Sequence, residues 1–546
     1  MRALFNSQTK TITFAALLLG VSALASRLLG LVRDRLLAGQ FGAGSDLDIY
    51  FAAFRIPDFV YGILIMGGLS AVFLPVFAEY FTKDEEEGWR LVSVILNCFL
   101  ILLITLCGIL AILTPHLIRL IAPGFDLEQR ALVVSLTRIM FLSPIFFGLS
   151  SIFSGVLHYF NRFFAYSIAP ILYNLSIIFG ILVFVPAFGL IGLAYGVVLG
   201  ALFHWLIQIP AARASGFRYL PIFNFKYPGL LKIFKLMTLR VLGASVYQIN
   251  LIAVTAIAST LAVGSISILN FANNLQYFPI GVIGASFALA SFPALSRAWA
   301  NGVREEFLES FSSTFRQIVF LIVPVSLLIF LLRTQIVRLI LGTGEFGWWE
   351  TKLTAASLGL FSLGIFAFAL VPFLLRAFFS LQDVKTPTII GLFYILLNLA
   401  LCLSFVWLFS FPNSFQEFVV NNLKLGGIEN VSILGLPLGV SMSGTLYFIL
   451  LLIFLRKKIG RIRLREIWRS FWRVILAASL MTVVTYLILQ IAAGLVDINT
   501  FEGVLLQAIS APLVGGTVYL LAAYLLRLPE IKTIWSSILK QFIKIP

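Results

Sequence analysis

Arg27, Arg33, Asp34 and Arg35 fall within residues 12–38, a stretch otherwise apolar enough to cross a bilayer. Asp46, Asp48, Arg55 and Asp58 follow before the next apolar run is under way. On insertion scales a charge at mid-membrane costs about 2.5–3.5 kcal/mol, so such groups persist where they meet a wet cavity, a counter-charge or a ligand. The chemistry open to arginine there is anion capture. Guanidinium stays charged, and its planar fork matches phosphate oxygens in pairs. Arg27 and Arg33 are six residues apart and Arg33 and Arg35 two apart, so on one helix they spread around the surface and share no narrow stripe. Some can face a central cavity while Arg35 snorkels to an interface, and Gly30 between them permits a bend. Two readings stay open. Either an arginine meets a substrate, or an Arg33–Asp48 or Asp34–Arg55 pair locks the first two spans together.

Other chemistry is scarce. There is no phosphate-binding glycine loop ending in Lys-Ser/Thr, no paired histidine on a helix and no nucleophile–base–orienter set, so the sequence points away from an enzyme and from ATP-driven work. Cys98, Cys107 and Cys402 lie in apolar runs without metal-ligand spacing, and His116, His158 and His204 are scattered. No metal site and no bound cofactor is expected. Gly342-Thr343-Gly344-Glu345-Phe346-Gly347, beside Trp348 and Trp349, reads as a turn with aromatic interface anchors.

The elements that must position the charged cluster are membrane spans. Of 546 residues, 60% are hydrophobic and 11% charged, more apolar surface than a soluble fold can hide. About fourteen segments reach the length of a span: 12–38, 47–80, 90–114, 131–158, 164–185, 189–210, 232–262, 266–296, 308–332, 351–380, 387–410, 431–455, 470–493 and 503–527. The first lacks a small-residue cleavage site and reads as a retained span. The net charge of +16 is split among short loops, which argues against nucleic acid. With the N-terminus inside, the inward loops collect most of the basic residues, above all the group from Arg456 to Arg473. Both termini are therefore expected in the cytoplasm, with that group lying against anionic headgroups.

The chain also repeats itself. Ile191-Gly192-Leu193-Ala194-Tyr195-Gly196-Val197 parallels Leu434-Gly435-Leu436-Pro437-Leu438-Gly439-Val440. Ile171-Leu172-Tyr173-Asn174 parallels Ile395-Leu396-Leu397-Asn398, and Phe73-Leu74-Pro75 parallels Ser291-Phe292-Pro293. The expected fold is an all-α polytopic membrane protein of about fourteen transmembrane helices. Two pseudo-symmetric six-helix halves, 1–225 and 226–456, precede a segment 457–546 holding a basic loop, the last two helices and a cytoplasmic tail. Paired halves are the usual build of a secondary transporter with its site at mid-membrane.

Ser26-Arg27-Leu28-Leu29-Gly30-Leu31-Val32-Arg33-Asp34, Phe41-Gly42-Ala43-Gly44 with Asp48, and Phe54-Arg55-Ile56-Pro57 together resemble the opening of the MurJ (MviN) lipid II flippases. That family belongs to the multidrug/oligosaccharidyl-lipid/polysaccharide exporter superfamily. Arg376-Ala377-Phe378-Phe379-Ser380-Leu381-Gln382-Asp383 with Thr386-Pro387, and Phe278-Pro279-Ile280-Gly281-Val282, resemble its tenth and eighth spans. The resemblance implies a flippase of the bacterial inner membrane, working as a monomer among membrane lipids. It would move undecaprenyl-pyrophosphate-linked disaccharide-pentapeptide to the outer leaflet by alternating access. Arg27, Arg33 and Arg55 would capture the pyrophosphate, Asp34 and Asp48 would orient them, and a groove by the last two spans would take the lipid tail. Gly30, Pro57 and Pro279 would let helices bend.

Family members commonly carry an arginine and a glutamate where Tyr61 and Met66 align, and another such pair where Asn274 and Tyr277 stand. Asn274 is thus the site residue expected from the second half. A sodium site of some members needs carboxylates; Asn398 matches one ligand, but Cys402 sits one turn on. Membrane potential or a monovalent cation gradient is left as the driving force. The alternatives are a flippase for another polyprenyl-linked oligosaccharide, a small-molecule antiporter of the same superfamily, and a non-transporting scaffold.

Overall fold

The computed structural model describes residues 12–460, 462–497 and 500–531. Arg461 and the expected tail beyond residue 531 lie outside the described residues. Helices dominate, and they follow the apolar runs. In chain order they are α1 (Ile12–Phe41), α2 (Ser45–Lys83), α3 (Glu85–Ile121), α4 (Leu127–Tyr159), α5 (Phe163–Phe188), α6 (Ile191–Ala214) and α7 (Pro228–Ser259). Then come α8 (Ser265–Ala300), α9 (Arg304–Leu341), α10 (Trp348–Ser380), α11 (Lys385–Leu408), α12 (Ser432–Ile459), α13 (Leu464–Leu495) and α14 (Phe501–Leu525).

Polar caps start several of them. Asp84 accepts from the Glu86 amide at 3.0 Å, Asp126 and Gln129 form a capping box, and Thr500 accepts from the Gly503 amide at 3.1 Å. Each satisfies donors a helix start leaves open. Gly42, at φ 62°, closes the end of α1 in the left-handed region, which costs glycine little.

Among the described residues, twelve helices are long and apolar enough to cross a membrane, against about fourteen expected. Every expected segment is helical, but α1 and α7 stand outside the twelve. Both helices run partly through residues whose side chains are not described, and the twelve are counted among the rest.

By packing the chain divides into two compact units, residues 1–267 and 268–546. The first includes α7, which lies against α2. Glycine makes that contact possible: a Cβ at Gly62 would sit 2.0 Å from the Gln248 amide, and one at Gly68 2.5 Å from Met237.

The repeated glycine motif does the same work in both units. On α6, Gly192 and Gly196 face the backbone of α5, where added Cβ atoms would fall 2.4 Å from Phe184 and 3.0 Å from Gly180. On α12, Gly435 and Gly439 face α11, at 2.3 Å from Val406 and 2.8 Å from Cys402. Small residues four apart let two helix backbones approach. The repeat reaches backbone geometry too. Within α2, Tyr61–Leu69 widens to a π-helix, and within α8, Ile280–Ala285 does so. Each lies a short way before its copy of the repeated Phe-Pro phrase, at Pro75 and Pro293. Pro57 and Pro279 stand just ahead of these wide turns, where a missing N–H already disturbs the hydrogen-bond ladder.

Candidate functional site

On α1, Arg33 and Asp34 pair with each other. The Arg33 Nε and Nη2 atoms donate to Asp34 Oδ1 at 3.0 and 2.8 Å. The Asp34 side chain is 6% exposed and that of Arg33 23%, so the ion pair is shielded while the arginine keeps part of its side chain exposed. The third contact comes from α5, where Asn174 Oδ1 accepts from Arg33 Nη1 at 3.2 Å. The hydroxyls of Tyr50 and Tyr173 lie within electrostatic reach of Arg33.

Arg55, 8% exposed, and the half-buried Asp58 attract each other electrostatically in the same unit, with the Tyr247 hydroxyl of α7 also in reach of Arg55. Arg27 is half-buried on α1. The first unit thus gathers arginines on α1 and the start of α2, of which Arg33 and Arg55 each lie near an acid and a phenol. Such a surface can hold an anion with several oxygens while keeping its own charges balanced.

Asp48, expected beside an arginine, does something else. One oxygen accepts from the Gly264 amide at 2.7 Å, and the other from the Ser267 amide and hydroxyl at 2.8 and 2.6 Å. The carboxylate thus caps the start of α8 from α2 and does not orient a guanidinium, which corrects the expected Arg33–Asp48 pair. Gly264, at φ +88°, lets the loop close: a Cβ there would lie 2.0 Å from the Ala43 carbonyl.

The remaining expected residues are scattered. Asn274 is half-buried on α8 in the second unit. The helix passes through Gly30 unbroken, and a Cβ there would meet Asn174 Oδ1 at an ordinary 3.9 Å. Pro57 occupies the first turn of Arg55–Val60, and Pro279 ends the regular part of α8. Residues first read otherwise join the site: Asp58 as part of a charge run, Tyr173 and Asn174 as repeat markers, and Tyr50 and Tyr247 not at all. The one available signal was an asparagine recurring inside two apolar spans.

The sodium position fits poorly. Asn398 Oδ1 accepts from the Ser443 hydroxyl at 2.7 Å and the Cys402 thiol at 3.5 Å. An amide, a hydroxyl and a thiol offer no anionic oxygen to a hard cation. Among the described residues no group of three His, Cys, Asp or Glu could hold a metal ion.

Three comparisons bear on this arrangement. Residues 37–504 match the family described as Lipid II flippase MurJ; the match begins just after Arg33 and Asp34. A protein of Buchnera aphidicola subsp. Acyrthosiphon pisum, named probable lipid II flippase MurJ, is 32% identical over 506 residues, covering 91% of this chain and 94% of its own. One from Vibrio cholerae with the same name is 29% identical over 420 residues, covering 74% and 79%. Among solved structures, a lipid II flippase MurJ in the inward closed conformation superposes with a TM-score of 0.73 at 24% identity, covering 93% of this chain and 98% of that one. A multidrug resistance MATE family transporter of the MOP superfamily, inward-facing, follows at 0.64 and 16%, covering 80% and 95%.

Proposed function

Because the chain belongs to the MurJ lipid II flippase family, we propose that its arginine cluster captures the pyrophosphate of a lipid-linked peptidoglycan precursor. The chain is a multi-pass membrane transporter and not an enzyme. Its substrate in this reading is undecaprenyl-pyrophosphate-linked disaccharide-pentapeptide, carried from the cytoplasmic to the outer leaflet by alternating access. The protein acts as a monomer in the bacterial inner membrane, with both termini in the cytoplasm.

One observation carries the reading: Arg33 is held by Asp34 and Asn174 with donors to spare on both terminal nitrogens. Arg55, balanced by Asp58, and Arg27 supply further positive charge along the same unit. For the lipid tail, an apolar cavity of about 320 Å³ in the second unit, lined by Leu327, Phe330, Phe366, Phe471 and Ile475 among others, supports the groove expected near the last two spans. Asn274, in the second unit, is assigned to the sugar–peptide headgroup, where a neutral amide can exchange hydrogen bonds.

The driving force in this reading is the membrane potential. An anionic headgroup moving outward across an inside-negative membrane gains about 2.3 kcal/mol per charge per 100 mV, and the poor sodium position leaves that gradient as the simpler source. In proteoliposomes, flipping should speed up under an imposed inside-negative potential and be indifferent to sodium; indifference to potential removes this part.

The central test is complementation of a strain depleted of its own lipid II flippase. The chain should rescue growth, and Arg27→Ala and Arg33→Ala should not, at equal membrane expression. Failure of the unmutated chain, well expressed, would transfer the reading to another polyprenyl-linked oligosaccharide.

A further inference from the structure

We propose that Asn174 is the positioning residue that aims the Arg33 guanidinium at a pyrophosphate; the inference rests on Arg33 being a pyrophosphate ligand. Asn174 is 8% exposed and every polar atom of its amide is engaged. Its Nδ2 donates to the Ser26 hydroxyl at 3.1 Å, the Ser26 carbonyl at 3.2 Å and the Pro170 carbonyl at 3.2 Å. Turned over, the amide would set its NH2 against the guanidinium and its oxygen against two carbonyls. The pattern of partners therefore fixes which way it faces.

Ser26 and Arg33 are seven residues apart on α1, two turns along one face. Asn174 bridges those turns from α5, gripping Ser26 with its nitrogen and Arg33 with its oxygen. A guanidinium carries five N–H donors. Asp34 takes two of them and Asn174 one, which leaves one on each terminal nitrogen. That remainder is a fork suited to two phosphate oxygens, and it stays aimed because the other three donors are tied down.

The neutrality of the amide matters as much as its oxygen. Asp34 already supplies one negative charge to Arg33; a second acceptor that is uncharged steers the guanidinium without cancelling it. A carboxylate at position 174 would keep an acceptor in place yet repel an anionic ligand. The carboxylate also sets an oxygen against the Ser26 and Pro170 carbonyls and so costs stability in either role; what separates positioning from mere packing is a loss of affinity per folded molecule.

The experiment uses the full-length protein in detergent and geranylgeranyl pyrophosphate as the probe, with affinity read by calorimetry and folding by thermal melting. N174L should bind about tenfold more weakly, the effect of one lost charge-assisted hydrogen bond. N174D should bind more weakly still per folded molecule, whatever its melting temperature. S26A, which removes one anchor of the amide, should lose about two- to threefold, a smaller share of the same bond. In an R33Q background all three losses should shrink to less than about twofold, because the residue they act through is gone. Wild-type affinity in N174D, or losses undiminished in R33Q, would overturn the inference. Wild-type affinity in R33Q alone would instead overturn the pyrophosphate reading beneath it. Should N174L fail to fold, N174D and S26A decide the matter.

Discussion

Asn174 and Asn398 occupy matching places in the internal repeat and serve different partners. Each lies on a helix that a glycine-lined neighbour approaches closely, α6 on α5 and α12 on α11. In the first unit the amide oxygen receives a guanidinium; in the second it receives a serine hydroxyl and a thiol. A buried amide in an apolar span must be satisfied either way. What differs is whether its partner carries charge. The fold thus keeps a polar position in both units while only one is equipped for an anion, so repeat symmetry predicts packing here and fails to predict chemistry.

That contrast breaks most readily at Arg33. Arg33→Ala removes two charge-assisted contacts to phosphate, each worth about 1.5–3 kcal/mol, so precursor affinity should fall at least about 100-fold. Arg33→Lys keeps the charge but loses the fork and should recover only part of that. Flipping of a fluorescent precursor in proteoliposomes measures both. Equal activity of the lysine and arginine forms would mean that charge alone matters and that the geometry described for Asn174 is idle.

Asp48 tests the claim that a charged residue in this cluster can be purely architectural. Its carboxylate takes three hydrogen bonds at 2.6–2.8 Å at 4% exposure. Asp48→Ala should therefore lower stability by about 3 kcal/mol, the cost of stranding buried donors. Binding per folded molecule, titrated on the monodisperse fraction, should stay within about twofold, less than the weight of one hydrogen bond. A selective loss of affinity would return Asp48 to the ligand set.

The second unit's asparagine should respond on one axis only. Asn398→Leu strands the Ser443 hydroxyl, which can still turn to the Val440 carbonyl at 3.0 Å. The expected cost is accordingly about 1 kcal/mol of stability, at the low end for a buried polar group. Precursor affinity, unlike in N174L, should not move. Matched melting curves and titrations of the two leucine variants compare the units directly.

How far the sequence reached follows from the range of the forces involved. Helix positions were legible because each span is one apolar run, and amphipathic ends merely extend it, as α9 extends 308–332 to Arg304–Leu341. The arginine cluster was legible as an energetic anomaly. That Asp34 orients an arginine was expected from the resemblance, but not that it is Arg33, because neighbours one residue apart do not face each other on a helix; the long arginine stem curls back to make the pair. Asp48 finds its partners 216 and 219 residues away, beyond any local pattern. The π-helical turns in α2 and α8 also escaped, since a one-residue slip barely disturbs hydrophobic periodicity in glycine-rich stretches such as Tyr61–Leu69.

The weakest expected effect lies outside the membrane, where the basic group that begins in the last turn of α12 meets the second unit's own acids. Lys458 Nζ donates to Asp383 Oδ2 at 2.5 Å, and the Thr386 amide donates to Asp383 Oδ1 at 3.0 Å. Burial pushes the Asp383 carboxyl up, but hydrogen bonds from Lys458 and Thr386 together outweigh it and hold the group below its ordinary value. A carboxylate depressed in the folded state stabilises the fold in full above its unfolded value, about 3.9, and loses that contribution as pH falls through the lower folded value. Because the Lys458 side chain is 44% exposed, the contribution is screened and amounts to about 0.5 kcal/mol. Melting temperature should therefore dip slightly below about pH 4, and Asp383→Asn should flatten that dip while lowering the plateau above it. An identical acid slope in the asparagine variant would assign the dip to other carboxylates and leave this pair without weight. The basic loop would then be anchored by Arg304, which donates to the Ile459 carbonyl, and by Arg463, which meets Glu305 at 3.2 Å. In that case the second unit would spend its charges on holding its own helices, as its asparagine does with its amide.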